Sequence, residues 1–383
     1  MHFQAEASEL SGLGLDCPKG CAYCCLCPPG LLDGEVDRIV GACEDCKAAF
    51  GKDRIGDSEQ AVQVQGDRGA CSFLEDRRCK VYASRPHFCR QYPVMVYSGW
   101  RVQLSAIRSC RGVVPMGTAK GSKAKAVQSK ARPLIDIFKG ELEQLGEQYF
   151  TETLEETRSS FEDIMDHEDI YATPDEVQRA ALRSAGAIGN AKALCKIQGI
   201  DRPDEGRARE SIVEVFWQEI ESAFTCPDIV DLPVYNRPDR GWEVFRVVGS
   251  GEMSAYHLME NGQLTYELTK PVVELKLRPL DAGAKTTLKQ YLQLAFKRDV
   301  FFGMVAREAL VAEQPMSELA SEIGAGIATD LWWRAGLLSA FGAMAHPKRG
   351  PSPKGPLDTM TAKEAVLFMD ADLLDSYALG AII

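Results

Sequence analysis

The chain has 383 residues, 44 Lys and Arg against 55 Asp and Glu, a formal charge of −11, and 45% hydrophobic residues. At about 150 residues per domain this length gives two or three domains, and the ordinary apolar fraction excludes wholesale disorder and fibrous repeats. No window reaches about 18 uninterrupted apolar residues, because the strongest, around Leu331 to Ala345, carries Arg334, so no membrane span is expected. Residues 1–10 lack a basic stretch followed by an apolar core, and a cytoplasmic protein is the expectation. The anomaly is the cysteine: of 13, eleven lie between Cys17 and Cys110, and only Cys195 and Cys226 lie beyond.

Residues 1–115 read as a loop-rich metal-binding module with short helices, because Gly, Pro and Cys interrupt every apolar run, and Ser11 to Gly14 read as no strand. A domain so irregular needs cross-links, which metal–thiolate bonds supply. The cysteines come in blocks: Cys17, Cys21, Cys24, Cys25 and Cys27, then Cys43 and Cys46, then Cys71, Cys79, Cys89 and Cys110. Ligands two or three residues apart let one loop turn around a metal while its backbone N–H groups face the sulfurs. Adjacent Cys24 and Cys25 diverge and more naturally feed two centres than one ion. An odd total and the lack of a secretion signal argue against a disulfide framework, so all eleven are candidate metal ligands.

Charge is as uneven as cysteine. Residues 77–135 hold 13 basic side chains and no acidic one. In its first half Arg77, Arg78, Lys80, Arg85, Arg90, Arg101, Arg108 and Arg111 interleave with Cys79, Cys89 and Cys110, which favours charge balance of thiolates and their metal. The second half, with Lys120, Lys123, Lys125, Lys130 and Arg132, sits in a Gly/Ala/Ser-rich stretch that reads as a basic flexible linker over 116–133. These cations suit an anionic substrate or an acidic protein partner, a redox partner included; neither nucleic acid nor a membrane is indicated.

Beyond the linker, 134–383 reads as an α+β domain. One or two acidic helices are expected from Leu134 to about Ile170, and Thr173-Pro174-Asp175-Glu176 is a capping box opening a helix that runs to about Gly199. Ile212, Val213, Phe216, Ile220 and Phe224 recur at helical spacing over 209–224. A β region at 241–280 follows, with runs Trp242 to Val248, Ser254 to Met259, Gln263 to Leu268 and Val272 to Leu277, and a hairpin signal at Asn261-Gly262. Helices return over about 284–312 and 317–345, and a last one is capped by Thr361 and Glu364. Strands in a run, without βαβ alternation, exclude a doubly wound parallel sheet.

Zinc and iron–sulfur clusters both take four thiolates, so counting does not separate them. A basic, acid-free belt favours iron–sulfur, because a four-thiolate cluster carries net negative charge that cations stabilise. The set Cys17, Cys21, Cys24, Cys25, Cys71-Ser-Phe-Leu, Cys79-Lys-Val-Tyr, Arg85-Pro86-x-x-Cys89-Arg90-x-Tyr92-Pro93 and Cys110-x-Gly112 resembles the CxxCxxCC (YkgJ-like) family of zinc- or iron-chelating cysteine-cluster proteins over about the first 112 residues. The resemblance implies a metal-binding module with those eight cysteines as ligands. One relative, the flagellin lysine methylase, is described with a 4Fe–4S cluster, which extends the implication to a redox-active or cluster-dependent modifying enzyme, methyl transfer included. The first spacing, Cys-x3-Cys, departs from the usual Cys-x2-Cys, and Cys27, Cys43 and Cys46 are additional. Cys17-x3-Cys21-x2-Cys24 also resembles the radical S-adenosylmethionine signature, which implies that cofactor and a partial (β/α) barrel. A non-enzymatic zinc-binding interaction module is the competing class.

Arg85 and Arg90 suit hydrogen bonds to cluster sulfurs, a carboxylate or phosphate clamp, or bonds to loop carbonyls. His87 reads as a hydrogen-bonded bystander of the same block, Cys195 as a small core residue and Trp332-Trp333 as helix packing. Gly324-Ala325-Gly326 lacks the Lys-Ser/Thr of a phosphate loop.

Overall fold

A computed structural model describes residues 5–17, 21, 23–26, 30–51, 60–65, 70–116, 131–138, 157–186, 231–237, 241–248, 252–259, 263–271, 280–345, 362, 366 and 381–382. The first part runs β1 (Leu13–Leu15), α1 (Glu35–Ala42), β2 (Phe50–Gly51), β3 (Ala61–Val62), β4 (Leu74–Glu75), β5 (Arg78–Cys79), α2 (His87–Gln91), β6 (Val94–Ser98), β7 (Val102–Ala106), β8 (Val113–Pro115) and β9 (Arg132–Pro133), with 3-10 turns at Ser8–Leu10, Tyr23–Leu26 and Glu44–Ala49. The second runs α3 (Pro174–Ala185), β10 (Asp231–Arg237), β11 (Gly241–Val248), β12 (Glu252–Leu258), β13 (Leu264–Pro271), α4 (Ala282–Ala295), α5 (Asp299–Ala312), α6 (Met316–Ala345) and β14 (Ala381–Ile382). Residues 134–138 and 157–165 are also helical. Helices with small antiparallel sheets make the architecture mixed α+β.

Local pattern accounts for some of these elements and distant pairing for others. Val94, Val96, Val102 and Leu104 alternate along β6 and β7 and bury one face against Leu10, Leu134 and Phe138. Ser11 to Gly14 read as no strand, yet β1 forms at Leu13–Leu15. Its pairing partners, β8 and β9, lie about a hundred residues on, where a local pattern has no view. The β4–β5 hairpin turns at Asp76 and Arg77, both left-handed with φ of 48° and 56°. This is the backbone of a two-residue primed turn, built here without the Asn-Gly that usually marks one.

In the second part Thr173 caps α3 as expected: its Oγ1 accepts from the Glu176 N–H and its N–H donates to Glu176 Oε2 at 2.9 Å. The helix reaches Ala185, and residues 187–200 lie outside the described ones. β10 to β13 form one antiparallel sheet in sequence order, and Leu258 pairs with Leu264 across the expected hairpin. β10 was not expected from the pattern. The expected strand Val272 to Leu277, the helix at 209–224 and the Thr361–Glu364 cap fall outside the described residues, as do Cys195 and Cys226. The long helical stretch expected over 284–312 is two helices, α4 and α5, broken between Phe296 and Arg298. Gly324 is a helix–helix contact: a Cβ there would stand 2.7 Å from the Cα of Ala181, so α3 and α6 meet backbone to backbone. Trp332 is buried in the same core. No helix among the described residues is long and apolar enough to cross a membrane.

Side chains of the first part meet helices of the second, and residues 117–130 of the expected linker lie outside the described residues. Arg132–Pro133 is itself a strand paired with β1. Trp100, at the β6–β7 turn, sits 4.5 Å from the Phe161 ring and 5.2 Å from the Phe302 ring, within the helical core. Next to it Arg101 Nη2 donates to Asp299 Oδ1 at 2.9 Å. β14 returns to pair with β6, Ile382 opposite Tyr97.

Candidate metal centre

Four elements frame the cysteines. β1 delivers Cys17 beside the Cys110–Gly112 turn, where the Asp16 N–H donates to the Gly112 carbonyl at 2.8 Å. Gly112 is required by closeness: a Cβ there would lie 3.2 Å from both the Cys17 Cα and the Asp16 carbonyl. The 3-10 turn Tyr23–Leu26 carries Cys24 and Cys25, and the Cys71 N–H donates to the Cys25 carbonyl at 2.7 Å. The β4–β5 hairpin presents Cys79, and α2 presents Cys89.

Helix α1 holds the Arg85–Cys89 loop from behind. The buried carboxylate of Glu35 accepts the His87 N–H at 2.8 Å and Arg38 Nη2 at 2.7 Å. Arg38 in turn donates to the carbonyls of Ser84 at 2.9 Å and Arg85 at 3.2 Å. Glu35 thereby satisfies one of the orphan N–H groups that open α2. Neither Glu35 nor Arg38 was singled out from the sequence; their only local signal is an acid–base pair three residues apart.

Among the described residues Cys17, Cys21, Cys24, Cys25, Cys71, Cys79, Cys89 and Cys110 stand outside the Cys43–Cys46 disulfide. Cys43 and Cys46 were expected among the ligands, but the structure joins them in a disulfide. The turn from α1 into Glu44–Ala49 brings them together, with the Cys46 N–H donating to the Cys43 carbonyl at 3.0 Å. Cys27 lies outside the described residues.

The thiols lie within one another's electrostatic reach. Burial pushes Cys71 and Cys110 up to about 12 and raises Cys17, Cys79 and Cys89. Working against it, backbone N–H groups two residues on donate to three sulfurs: Phe73 to Cys71, Val81 to Cys79 and Gly112 to Cys110. A thiol hydrogen bond from Cys25 lowers Cys24 to about 7, and the same bond with burial raises Cys25 strongly. Arg85 favours the thiolate form of Cys17, Cys24, Cys79 and Cys89.

Arg85 and Arg90 do different things. The Arg85 guanidinium lies 4.1 Å from the Tyr82 ring centroid, and its Nε is buried without a hydrogen-bond acceptor. Arg90 Nη1 donates to the Arg85 carbonyl at 3.2 Å, so it shapes the loop. His87 is buried with Nε2 3.2 Å from Gln91 Oε1. Arg101 and Arg108, read as balancing thiolates, have acidic partners from other segments, Asp299 and Glu9.

Three N–H···S turns and a guanidinium whose buried Nε has no acceptor form a donor set that fits thiolates on a metal or cluster, since each stabilises negative sulfur. Among the described residues no three His, Cys, Asp or Glu side chains already stand at the spacing of a single metal ion, so ligation would need side-chain rotation on this backbone frame. Pairing among the named strands is antiparallel, and the parallel barrel implied by the S-adenosylmethionine resemblance is not seen among the described residues.

No curated protein and no solved structure matches the chain significantly. Residues 16–111 match the family model described as "CxxCxxCC: Putative zinc- or iron-chelating domain", and the N-terminal part of this 383-residue chain belongs to that family.

Proposed function

We propose that the cysteine module is an iron–sulfur protein that passes single electrons, and that the packed helical part provides the surface for its partner or substrate. The observation that carries this reading is Arg85. A half-buried cation whose Nε is buried and unmet, placed where it favours the thiolate form of four cysteines, compensates the net negative charge of a four-thiolate cluster better than it serves neutral thiols. When bound, such a cluster supplies a one-electron couple whose potential follows nearby charge and N–H···S bonding. The chain's own residues hold the thiols, shield Cys21 and Cys71 from solvent and leave Cys17 and Cys24 exposed on the electron-entry side. Arg78 and Lys80 are exposed, Lys80 beside Glu75 at 3.3 Å, and with the exposed Tyr82 ring they suit a partner that offers carboxylates.

Anaerobic purification followed by iron, sulfide and zinc analysis and a visible spectrum tests the reading. A brown protein with iron and acid-labile sulfide, bleached by dithionite, is expected. A colourless protein containing zinc overturns it.

A further inference from the structure

We infer that Cys43 and Cys46 form a thiol–disulfide exchange site, opened by attack of an external thiol on Cys43 and favouring cationic over anionic thiols. The inference stands apart from the metal reading, since neither sulfur belongs to the eight-cysteine set. The two cysteines are three positions apart, and their disulfide closes only the turn Cys43-Glu44-Asp45-Cys46. A loop that short restricts the unfolded chain least, so the bond contributes less as a staple than one joining distant segments.

The turn has a frame of its own besides that bond. The Cys43 N–H donates to the Ile39 and Val40 carbonyls at 2.9 and 3.1 Å, and the Cys46 N–H donates to the Cys43 carbonyl at 3.0 Å. Ile39 and Cys46 are both buried in one apolar cluster with Val62, Phe73 and Val81. Breaking the S–S bond removes none of these hydrogen bonds. The two sulfurs therefore stay close, and re-closing the bond is an intramolecular step between groups already in place.

Exposure decides which sulfur is attacked. Cys46 is 3% exposed, whereas Cys43 is half-buried and lies between exposed Ala42 and exposed Glu44. A thiolate RS⁻ attacks Cys43 Sγ, the Cys43–Cys46 bond breaks, and Cys46 leaves as a thiolate that takes up a proton. A second RS⁻ attacks the outer sulfur of the mixed disulfide, which releases RSSR and the Cys43 thiolate, protonated in turn. Two thiols thus give two electrons to the pair, which ends as a dithiol. Glu44 and Asp45, both exposed, lie between the two cysteines and repel an anionic thiol while attracting a cationic one; exposed Lys47 offsets part of that charge.

The full-length chain is equilibrated without oxygen in buffers of reduced and oxidised dithiothreitol, quenched with iodoacetamide and digested with trypsin. Cleavage after Arg38 and Lys47 gives residues 39–47, a peptide that holds these two cysteines and no other. In the folded chain this peptide should pass from the disulfide to the doubly alkylated form, and return on oxidation. A peptide that stays disulfide-bonded until urea unfolds the chain is a buried staple and overturns the proposal. In a second measurement Cys46→Ser and Cys43→Ser are treated with cystamine, and Cys43 should be modified about tenfold faster than Cys46. Equal or reversed rates overturn the assignment of Cys43 as the attacked sulfur. For charge, reduction by cysteamine is compared with reduction by glutathione at equal thiolate concentration. Glu44→Gln with Asp45→Asn should shrink the preference for cysteamine by about fivefold, and an unchanged ratio overturns the selectivity. Where a variant does not fold, the peptide map of the unaltered chain still decides on exchange.

Discussion

Glu9 and Arg298, 289 positions apart, form a buried ion pair that fastens the cysteine module to the helical part: Glu9 accepts from Arg298 Nε at 3.0 Å and Nη2 at 2.9 Å. The same guanidinium donates to the Ala106 carbonyl at 3.1 Å, so one side chain grips both the 3-10 turn Ser8–Leu10 and the end of β7. Arg298 is only 3% exposed. Removing the Glu9 charge takes the carboxylate from the buried Arg298 guanidinium, which keeps only part of its bonding through the Ala106 carbonyl. Glu9→Gln should therefore destabilise the fold by about 3–5 kcal/mol. Glu9→Gln combined with Arg298→Met should cost less than Glu9→Gln alone, and urea unfolding of the three chains measures both.

The same pair gives the acid limb of the stability curve a definite sign. Burial pushes the Glu9 carboxyl up, but Arg298, Arg108 and the Ala106 N–H together hold it below its ordinary value. A carboxyl lowered in the folded state contributes stability above its unfolded pKa and loses it as pH falls through the folded value. Asp299 has the opposite sign: burial outweighs Arg101 and raises it, so its contribution declines as pH rises through that raised value. Glu9→Gln should flatten the loss of stability below about pH 4.5, the ordinary glutamate value. An acid limb unchanged by the substitution would assign it elsewhere.

Trp100 makes the apolar counterpart of this joint. Its ring meets Phe161, Phe302 and Tyr97, with the Tyr97 centroid 6.1 Å away. Trp100→Ala should destabilise by about 3–5 kcal/mol, since a cavity between the β6–β7 turn and the helices cannot close without moving both. Trp100→Phe keeps most of the contact and should cost less. Thermal unfolding of both variants compares them directly.

How much of this was legible depends on how local each cause is. The Thr173–Glu176 cap, the hairpin around Asn261-Gly262 and the eight-cysteine resemblance are written in spacings of a few residues. Those eight are the described cysteines outside the Cys43–Cys46 disulfide. The β1 strand is set by β8 and β9 about a hundred residues on, and Arg298 at the break between α4 and α5 is held by Glu9 and the Ala106 carbonyl, whereas β10 pairs with its neighbour β11. The basic run shows the same limit: counting found an acid-free stretch, but Arg101 and Arg108 face Asp299 and Glu9 from other segments, leaving Arg85 to face thiols. Cys43 and Cys46 look like any other cysteine pair in a metal-binding chain. Only the turn that follows α1 shows them bonded to each other.

Glu35 is the test of support behind the thiols. It is 6% exposed, and its two oxygens hold the N–H groups of His87 and Leu32 and the Arg38 guanidinium. Glu35→Ala removes all three bonds and frees the loop that presents Arg85 and Cys89. Outer groups that orient ligands typically change metal affinity about 10–100-fold when lost. Competition with a chelator should show a loss in that range, while Glu35→Gln, which still accepts from His87, should lose less. Equal losses for both substitutions would mean that charge, not the bond to His87, sets the loop.

Arg85 and Arg90 separate direct influence on the thiols from influence through the backbone. Arg85→Met removes the buried Nε and the cation that favours the thiolate form of Cys17, Cys24, Cys79 and Cys89. Metal retention against a chelator should fall by about 10–100-fold, and the reduction potential of the loaded protein should move to lower values as positive charge is lost. Arg85→Lys restores the charge without the planar donor, so it should recover the potential more than the retention. Arg90→Met removes a donor to the Arg85 carbonyl, which Arg38 still holds. It should leave the potential nearly unchanged and lower retention only slightly. A shift of potential in Arg90→Met as large as in Arg85→Met would show that loop position, rather than the Arg85 cation, governs the centre.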